Sequence, residues 1–358
     1  MRDYFKYFDK LNFSVLIVIS LLGIFLIYSA SHDLETSYHT RQMFWLLASV
    51  IAFFIVFRMK TEFIFKWSYA LYVFLVVVLV LQYFGGIIVS GTRSWLRFGA
   101  FSVQVSEFIK IPMILIFARR LAKVDVIEAR EFVKLLFIFA VPFVLIALQP
   151  DLGTAFVLSA VLLVTVLLKR IRLYIVVFSL VLAIAGSAVA WNYVLKPYQK
   201  DRIKSFLNPE KYSKSIGYQI IQSKIAIGSG GLKGKGYLKG SQSQYRFLPT
   251  RHTDFIISVL GEEFGFLGLS FLFLLFFILF YRQFNFKPRS DEEFYFAYLF
   301  NGLILFQFLI NILMSIGLIP ILGLPLPFVS YGGSSLLAFT IGEALIFRVK
   351  INNYLYEV

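Results

Sequence analysis

The sequence predicts an all-α polytopic membrane protein of ten transmembrane helices, with a large extracytoplasmic loop between the seventh and eighth. Three observations carry this expectation. The mean hydropathy is +0.79, and 59% of the 358 residues are apolar, 18% aromatic and only 15% charged, a composition that excludes a water-soluble enzyme. Apolar runs recur at roughly the 20-residue length that a helix needs to cross ~30 Å of hydrocarbon. The basic residues gather in short segments between those runs and divide unequally between the two sides.

The first run, Leu11 to Ala30, follows Arg2, Lys6 and Lys10. It exceeds the ~7 to 15-residue core of a cleaved leader and reads as a retained signal anchor. The runs that follow are Gln42 to Phe57, Trp67 to Tyr83, Ser106 to Leu121, Val133 to Leu148, Leu152 to Leu168, Leu173 to Val194, Phe255 to Tyr281, Phe294 to Leu318 and Ser334 to Phe347. An even number of crossings puts both termini on one side. With the N-terminus inside, the inner segments carry 19 Lys and Arg and the short outer loops carry three, Arg41, Arg93 and Arg97. That asymmetry places both ends in the cytoplasm, Arg251 and Tyr331 outside, and Arg120 and Arg289 inside. The whole chain, residues 1–358, reads as one integral membrane domain with no soluble domain at either end.

The loop of about residues 195–253 runs against the charge pattern, with twelve basic residues and only two acidic ones, Asp201 and Glu210. Long loops translocate largely regardless of charge. Two uses fit so basic a loop: attraction to acidic lipid headgroups, or capture of a pyrophosphate. The net charge of +15 does not imply nucleic acid, because most of the remaining cations orient the helices rather than form one solvated face. No cysteine is present, which removes disulfides, thiolate metal sites and a cysteine nucleophile.

Ionisable residues inside spans are costly, so each is a candidate site. Glu107 and Lys110 stand three apart at the start of the fourth span and share a face. Asp151, in the turn Gln149-Pro150-Asp151-Leu152-Gly153, lies at a similar depth and offers Lys110 a second carboxylate. Two readings stay open, a structural ion pair locking three helices and a wet cavity where Lys110 meets a substrate phosphate. Glu262, Glu263 and Glu343 have no basic partner assignable by spacing. Asp254, flanked by Arg251 and His252 just before the eighth span, is either that helix's N-cap or a carboxylate that accepts a proton from a sugar hydroxyl. Residues 319–335 are irregular and yet apolar, which at membrane depth requires burial in protein or a cavity to line. The amides opening the tenth span are a possible anion contact.

Several of these pieces occur in order as motifs: Gly91-Thr92-Arg93-Ser94-Trp95, Ser106-Glu107 with Lys110, and Gln149-Pro150-Asp151-Leu152-Gly153-Thr154. Then come Gln242-Ser243, Phe247-Leu248-Pro249, Arg251-His252-Thr253-Asp254-Phe255, Asn311 with Gly317-Leu318-Ile319-Pro320, and Phe328-Val329-Ser330-Tyr331-Gly332-Gly333-Ser334-Ser335. Together they resemble the SEDS family (shape, elongation, division and sporulation), in its elongation branch, along the whole chain. Val105 stands where the family usually has Pro, and Thr250 where Glu often precedes Arg-His-Thr-Asp. Both departures touch local turns and leave the charged matches intact.

The resemblance implies a peptidoglycan glycosyltransferase that polymerises lipid II with inversion on the outer face of the bacterial cytoplasmic membrane during cell elongation. It implies a class B penicillin-binding protein as transpeptidase partner, within the cell-wall elongation complex, and no nucleic acid. By motif position Asp254 is the catalytic carboxylate. Arg93, Trp95, Glu107, Lys110, Asp151, Gln242, Arg246, Arg251, His252 and Ser330 are substrate-binding candidates. The family's dependence on a divalent cation implies Mg or Mn, with no ligands assignable here. Two other classes share the composition, a flippase of the same lipid and a non-catalytic scaffold of the assembly. A transporter favours polar groups near the midplane, and Glu343 is the residue that serves that alternative.

Overall fold

The computed structural model describes residues 7–89, 92–99, 101–212, 216–286 and 288–355. Arg2, Lys6, Gly91, Lys214 and Lys287, used above for topology or motif, lie outside the described residues, as does the side chain of Arg93. The chain is predominantly helical. In order it runs α1 (Lys10–Ser31), α2 (Tyr38–Arg58) and α3 (Thr61–Gly85), then strands β1 (Ile87–Val89), β2 (Thr92–Phe98) and β3 (Phe101–Val103). Next come α4 (Val105–Phe108), α5 (Lys110–Leu121), β4 (Val126–Ile127), α6 (Ala129–Leu148), α7 (Leu152–Leu168), β5 (Arg170–Ile171) and α8 (Leu173–Val189). After these stand α9 (Pro197–Leu207), α10 (Ile216–Ser229), α11 (Ser241–Gln244), α12 (Ile256–Phe284), α13 (Asp291–Ser315) and α14 (Gly333–Leu355).

Each apolar run of the sequence falls on a helix, and among the described residues 7 helices are long and apolar enough to cross a membrane. The other three are α5, α7 and α14. The 17-residue α7 is apolar but short, and α14 carries Glu343, Arg348 and Lys350. The fourth run is split at Ile109 into α4 and the 12-residue α5. Pro112 accounts for the break, because it has no N–H to return to the carbonyl of Phe108.

Two features stand beside the predominantly helical architecture. β1, β2 and β3 form a small antiparallel meander at the end of α3, pairing Ile87 with Trp95 and Arg97 with Ser102. The long loop before α12 is also folded. Its helix α10 packs against α12 and α13, and the Ser223 hydroxyl lies 2.7 Å from that of Ser258 and donates to the Ser315 carbonyl at 2.5 Å.

α12 is interrupted at Gly265, whose φ of 62° and ψ of −155° lie outside helical space and suit only glycine. The glycine-rich segment after α10 repairs the gap. Lys235 N and Gly236 N donate to the carbonyls of Glu262 and Glu263, while Phe266 N and Leu267 N donate to those of Gly231 and Leu232. An irregular strand thus supplies the hydrogen bonds that the broken helix lacks, the condition for such a break inside a bilayer. α8 is the peripheral element: Ile175 is its one buried side chain among the described residues.

Candidate active site

Residues 316–332, between α13 and α14, are irregular, and side chains satisfy their backbone. Asn311 Nδ2 donates to the carbonyl of Leu324 at 2.7 Å and to that of Asp254 at 2.9 Å. Gln307 Nε2 donates to Pro325 O at 2.9 Å, and Leu326 N to the Ser330 hydroxyl at 2.8 Å. The same hydroxyl donates to Thr253 O at 2.5 Å, and Tyr331 N donates to His252 O at 3.0 Å. Two motifs nearly 80 positions apart are thereby stitched into one surface. Ser330 acts here as a fastener of that surface.

Asp254 sits at its centre. The helix behind it starts at Ile256 with Phe255 in the cap position and no side-chain cap. The N-cap reading of Asp254 therefore falls away, and its carboxylate is left for other work. A methyl group built on Gly323 would lie 3.8 Å from Asp254 Oδ2 and 3.7 Å from Arg202 Nη1, so carboxylate and guanidinium converge on that glycine. Burial pushes the Asp254 carboxyl up to about 6, against the pull of Arg202. His252 stacks on Tyr38 with ring centroids 4.4 Å apart. Burial, with Arg251 beside it, lowers its imidazole to about 4, so it is neutral at pH 7.

Arg251 and Arg246 are brought together by a residue the motifs did not mark. Arg251 Nε donates to Ala30 O at 2.5 Å and its Nη2 to Asp33 Oδ1 at 2.6 Å, while Arg246 Nε donates to Asp33 Oδ2 at 2.7 Å. Burial alone would raise the Asp33 carboxyl, but the two guanidiniums hold it below the usual range. The pair ties this surface to the end of α1. Gln242 lies on α11, where its backbone N–H donates to Glu262 Oε1 at 2.8 Å. The same oxygen accepts from Lys235 Nζ at 2.7 Å, the partner that spacing could not assign. Glu263 in turn accepts from Ser29 at 2.5 Å.

The second group meets residues 316–332 where Gly153 approaches Leu322. Lys110 Nζ meets Glu107 Oε2 at 2.9 Å, with both side chains almost wholly buried. Asp151 caps α7, its Oδ1 accepting from Thr154 N at 3.1 Å, while its Oδ2 accepts from Gln104 Nε2 at 2.6 Å. Gln104, and not Lys110, is thus the direct partner of Asp151. Burial raises the Asp151 carboxyl, with Glu107 adding to the rise. Trp95 is half-buried on β2, and Ser94 beside it reaches Gln149 O at 3.5 Å.

The two groups are linked by α9 and by backbone contact. Tyr198 OH donates to Pro150 O at 3.3 Å, while Arg202, one turn on, faces Asp254. A Cβ on Gly153 would stand 2.3 Å from Leu322 O, so only glycine lets α7 approach so closely. Arg202 is the main residue that reading the sequence missed; its only signal was membership of the basic loop.

Among the described residues no three His, Cys, Asp or Glu side chains gather as a metal cage. Asp254 offers one carboxylate, and the charged group facing it is a cation. This donor set does not fit a resident divalent ion, and no step below is routed through one.

A family model for cell cycle proteins, covering FtsW, RodA and SpoVE, matches residues 9–355. The chain belongs to this family. Among its relatives, the peptidoglycan glycosyltransferase MrdB of Escherichia coli (strain K12) is 38% identical over 289 residues, 79% of this chain and 77% of that protein. The peptidoglycan glycosyltransferase RodA of Treponema pallidum (strain Nichols) is 32% identical, covering 96% and 97% of the two chains. A solved chain from a peptidoglycan synthase complex, described for its coordination of polymerization and crosslinking, matches with a TM-score of 0.83 at 27% identity, over 97% of this chain and 98% of its own. The SEDS resemblance therefore holds, and with its apolar helices the chain is an integral membrane protein.

Proposed function

We propose that this protein is a peptidoglycan glycosyltransferase that polymerises lipid II, with Asp254 as its base. The observation that carries the proposal is the convergence of Asp254 and Arg202 on Gly323, with the carboxyl pushed up to about 6. A base is most useful when its pKa lies near the working pH. The 4-hydroxyl of the acceptor sugar attacks the anomeric carbon of the donor with inversion. The new C–O bond forms as the bond to the diphosphate breaks; the diphosphate leaves with the electron pair and Asp254 takes the hydroxyl proton. Arg202 faces the space where that negative charge develops. One carboxylate suffices, because a diphosphate leaves without a paired general acid.

Lys110 and Glu107 compensate each other. In this reading they and Asp151 bind the substrate from the side of α4, α5 and the start of α7. Gln242, Arg246, Arg251, His252 and Ser330 bind it from the surface around Asp254, and Trp95, on β2, joins them; Arg93 is kept as a substrate-binding candidate by motif position alone. A divalent cation, Mg or Mn, accompanies the substrate diphosphate in this reading and is not resident, since magnesium takes one or two carboxylates plus phosphates. A class B penicillin-binding protein cross-links the product within the elongation complex.

The same reading has ten crossings, both termini in the cytoplasm and Asp254 facing outward, on the strength of the 19 to 3 division of basic residues. Arg251 is too buried to report on its side. Cysteines at the exposed Tyr245 and at Lys123 replace it as probes, and only the first should label from outside. External labelling at Lys123 overturns the orientation.

The deciding experiment is lipid II polymerisation by the purified protein with its transpeptidase partner. Polymer from wild type and none from Asp254→Asn supports the proposal. Lipid translocation with no polymer from wild type transfers the assignment to the flippase, and near-wild-type polymer from the variant removes the base from Asp254.

A further inference from the structure

At the end of α5 away from Lys110, about 15 Å along the helix axis, the structure holds a crevice of about 280 Å³ lined by Tyr69, Arg119, Arg120, Lys123, Glu131 and Lys134. Its cations outnumber its carboxylates. Glu131 alone serves two of them, Arg120 at 2.5 Å and Lys134 at 3.3 Å. Arg119 donates to the Phe65 carbonyl at 2.9 Å, lies over the Tyr69 ring and reaches Glu292 only at 4.0 Å. Lys123 is exposed and has no side-chain partner among the described residues.

The crevice continues into an apolar track. One turn beyond Tyr69 on α3 is Val73, 58% exposed, and one turn beyond Lys134 on α6 is Phe137, 70% exposed. Both lie on helices apolar enough to cross a membrane. A positive pocket at helix ends, with exposed apolar side chains leading from it toward the middle of the span, has the shape of a lipid: phosphate first, acyl chain after.

We infer that this crevice binds the phosphate of an anionic phospholipid, taken from the leaflet at the end of the bundle opposite Asp254. An acidic peptide would use the cations but not the track. Inorganic phosphate would use the pocket alone. The site is independent of the glycosyltransferase chemistry.

Native mass spectrometry of the delipidated full-length protein tests it, with phosphatidylglycerol, phosphatidylcholine and inorganic phosphate as probes. Wild type should retain phosphatidylglycerol far better than phosphatidylcholine. The double variant Lys123→Gln/Lys134→Gln should retain it roughly 20- to 30-fold less well, at about fivefold per surface cation, with phosphatidylcholine unchanged. Phe137→Gln, which leaves every cation in place, should also weaken retention. Equal binding of the two lipids by wild type overturns the inference and needs no variant. So does displacement of phosphatidylglycerol by inorganic phosphate at equal concentration, which would make this a soluble-anion site.

Discussion

Asp254 and Asp9 both lie beside arginine, at opposite ends of the bundle, and the protein treats them in opposite ways. Asp9 accepts from Arg282 Nη2 at 2.8 Å and from Lys350 Nζ at 3.1 Å, and caps α1 by accepting from Asn12 N at 3.1 Å. Burial would raise its carboxyl, but these partners hold it below the usual range. Asp254 has Arg202 nearby and no ion pair with it, so burial dominates and its carboxyl rises to about 6. A carboxylate whose every lone pair is used joins helices. One that is buried and left underpaired keeps a raised carboxyl, the state that the proposed base requires.

The widest break in this comparison should come from Asp254→Asn. General-base removal typically costs ~10²- to 10⁴-fold, and single-turnover polymerisation should show a loss of that order. Stability should not fall with it, because Asp254 caps no helix. The raised carboxyl gives the sign: its ionised form costs stability as pH rises through about 6. Thermal unfolding of Asp254→Asn should therefore match wild type at pH 4 and exceed it at pH 8. A Tm that drops at both pH values would make Asp254 structural.

Lys110→Met probes a site placed like Asp254 but paired like Asp9. Removing one partner of a buried pair costs about 3–5 kcal/mol, so the variant should unfold early. The double variant Lys110→Met/Glu107→Gln should recover most of that stability. If polymerisation returns with the fold, the pair is structural; if the double variant folds but stays inactive, Lys110 serves the substrate.

Arg202→Gln should slow polymerisation by roughly 10²- to 10³-fold, the range for losing one donor to a developing oxyanion. It also removes the one cation that lowers the Asp254 carboxyl. Wild-type activity should fall about tenfold per pH unit below 6, and this limb should move to higher pH in the variant. An unshifted profile would separate Arg202 from Asp254.

Asp9→Asn should show the smallest effect on turnover and a modest one on stability, about 1–3 kcal/mol. The sign reverses that of Asp254: a depressed carboxyl stabilises above its unfolded value of 3.8, and that contribution is lost as pH falls through the lower folded value. The wild-type advantage over Asp9→Asn should thus vanish in strong acid, while activity per folded molecule stays the same throughout.

The helical membrane architecture was legible because bilayers impose a composition and a length that any reader can measure along the chain. So were Asp254, Lys110 and Asp151, which stand out as charges beside hydrocarbon. The irregular apolar segment around Ser330 was legible as a stretch that must be buried or line a cavity, while Trp95 and the place of Ser330 within that segment were legible only through resemblance. What tertiary structure alone decided are the pairings across long sequence distances. Asp33 meets Arg251 across 218 positions, Lys235 meets Glu262, and the glycine-rich segment completes α12 where Gly265 breaks it. Arg202, one of twelve cations in a basic loop, became distinct only when α9 placed it opposite Asp254. Hydropathy and local motifs are properties of neighbouring residues and survive in one dimension. Which charge is satisfied and which is left open depends on the packing of helices far apart in the chain, and only the folded bundle settles it.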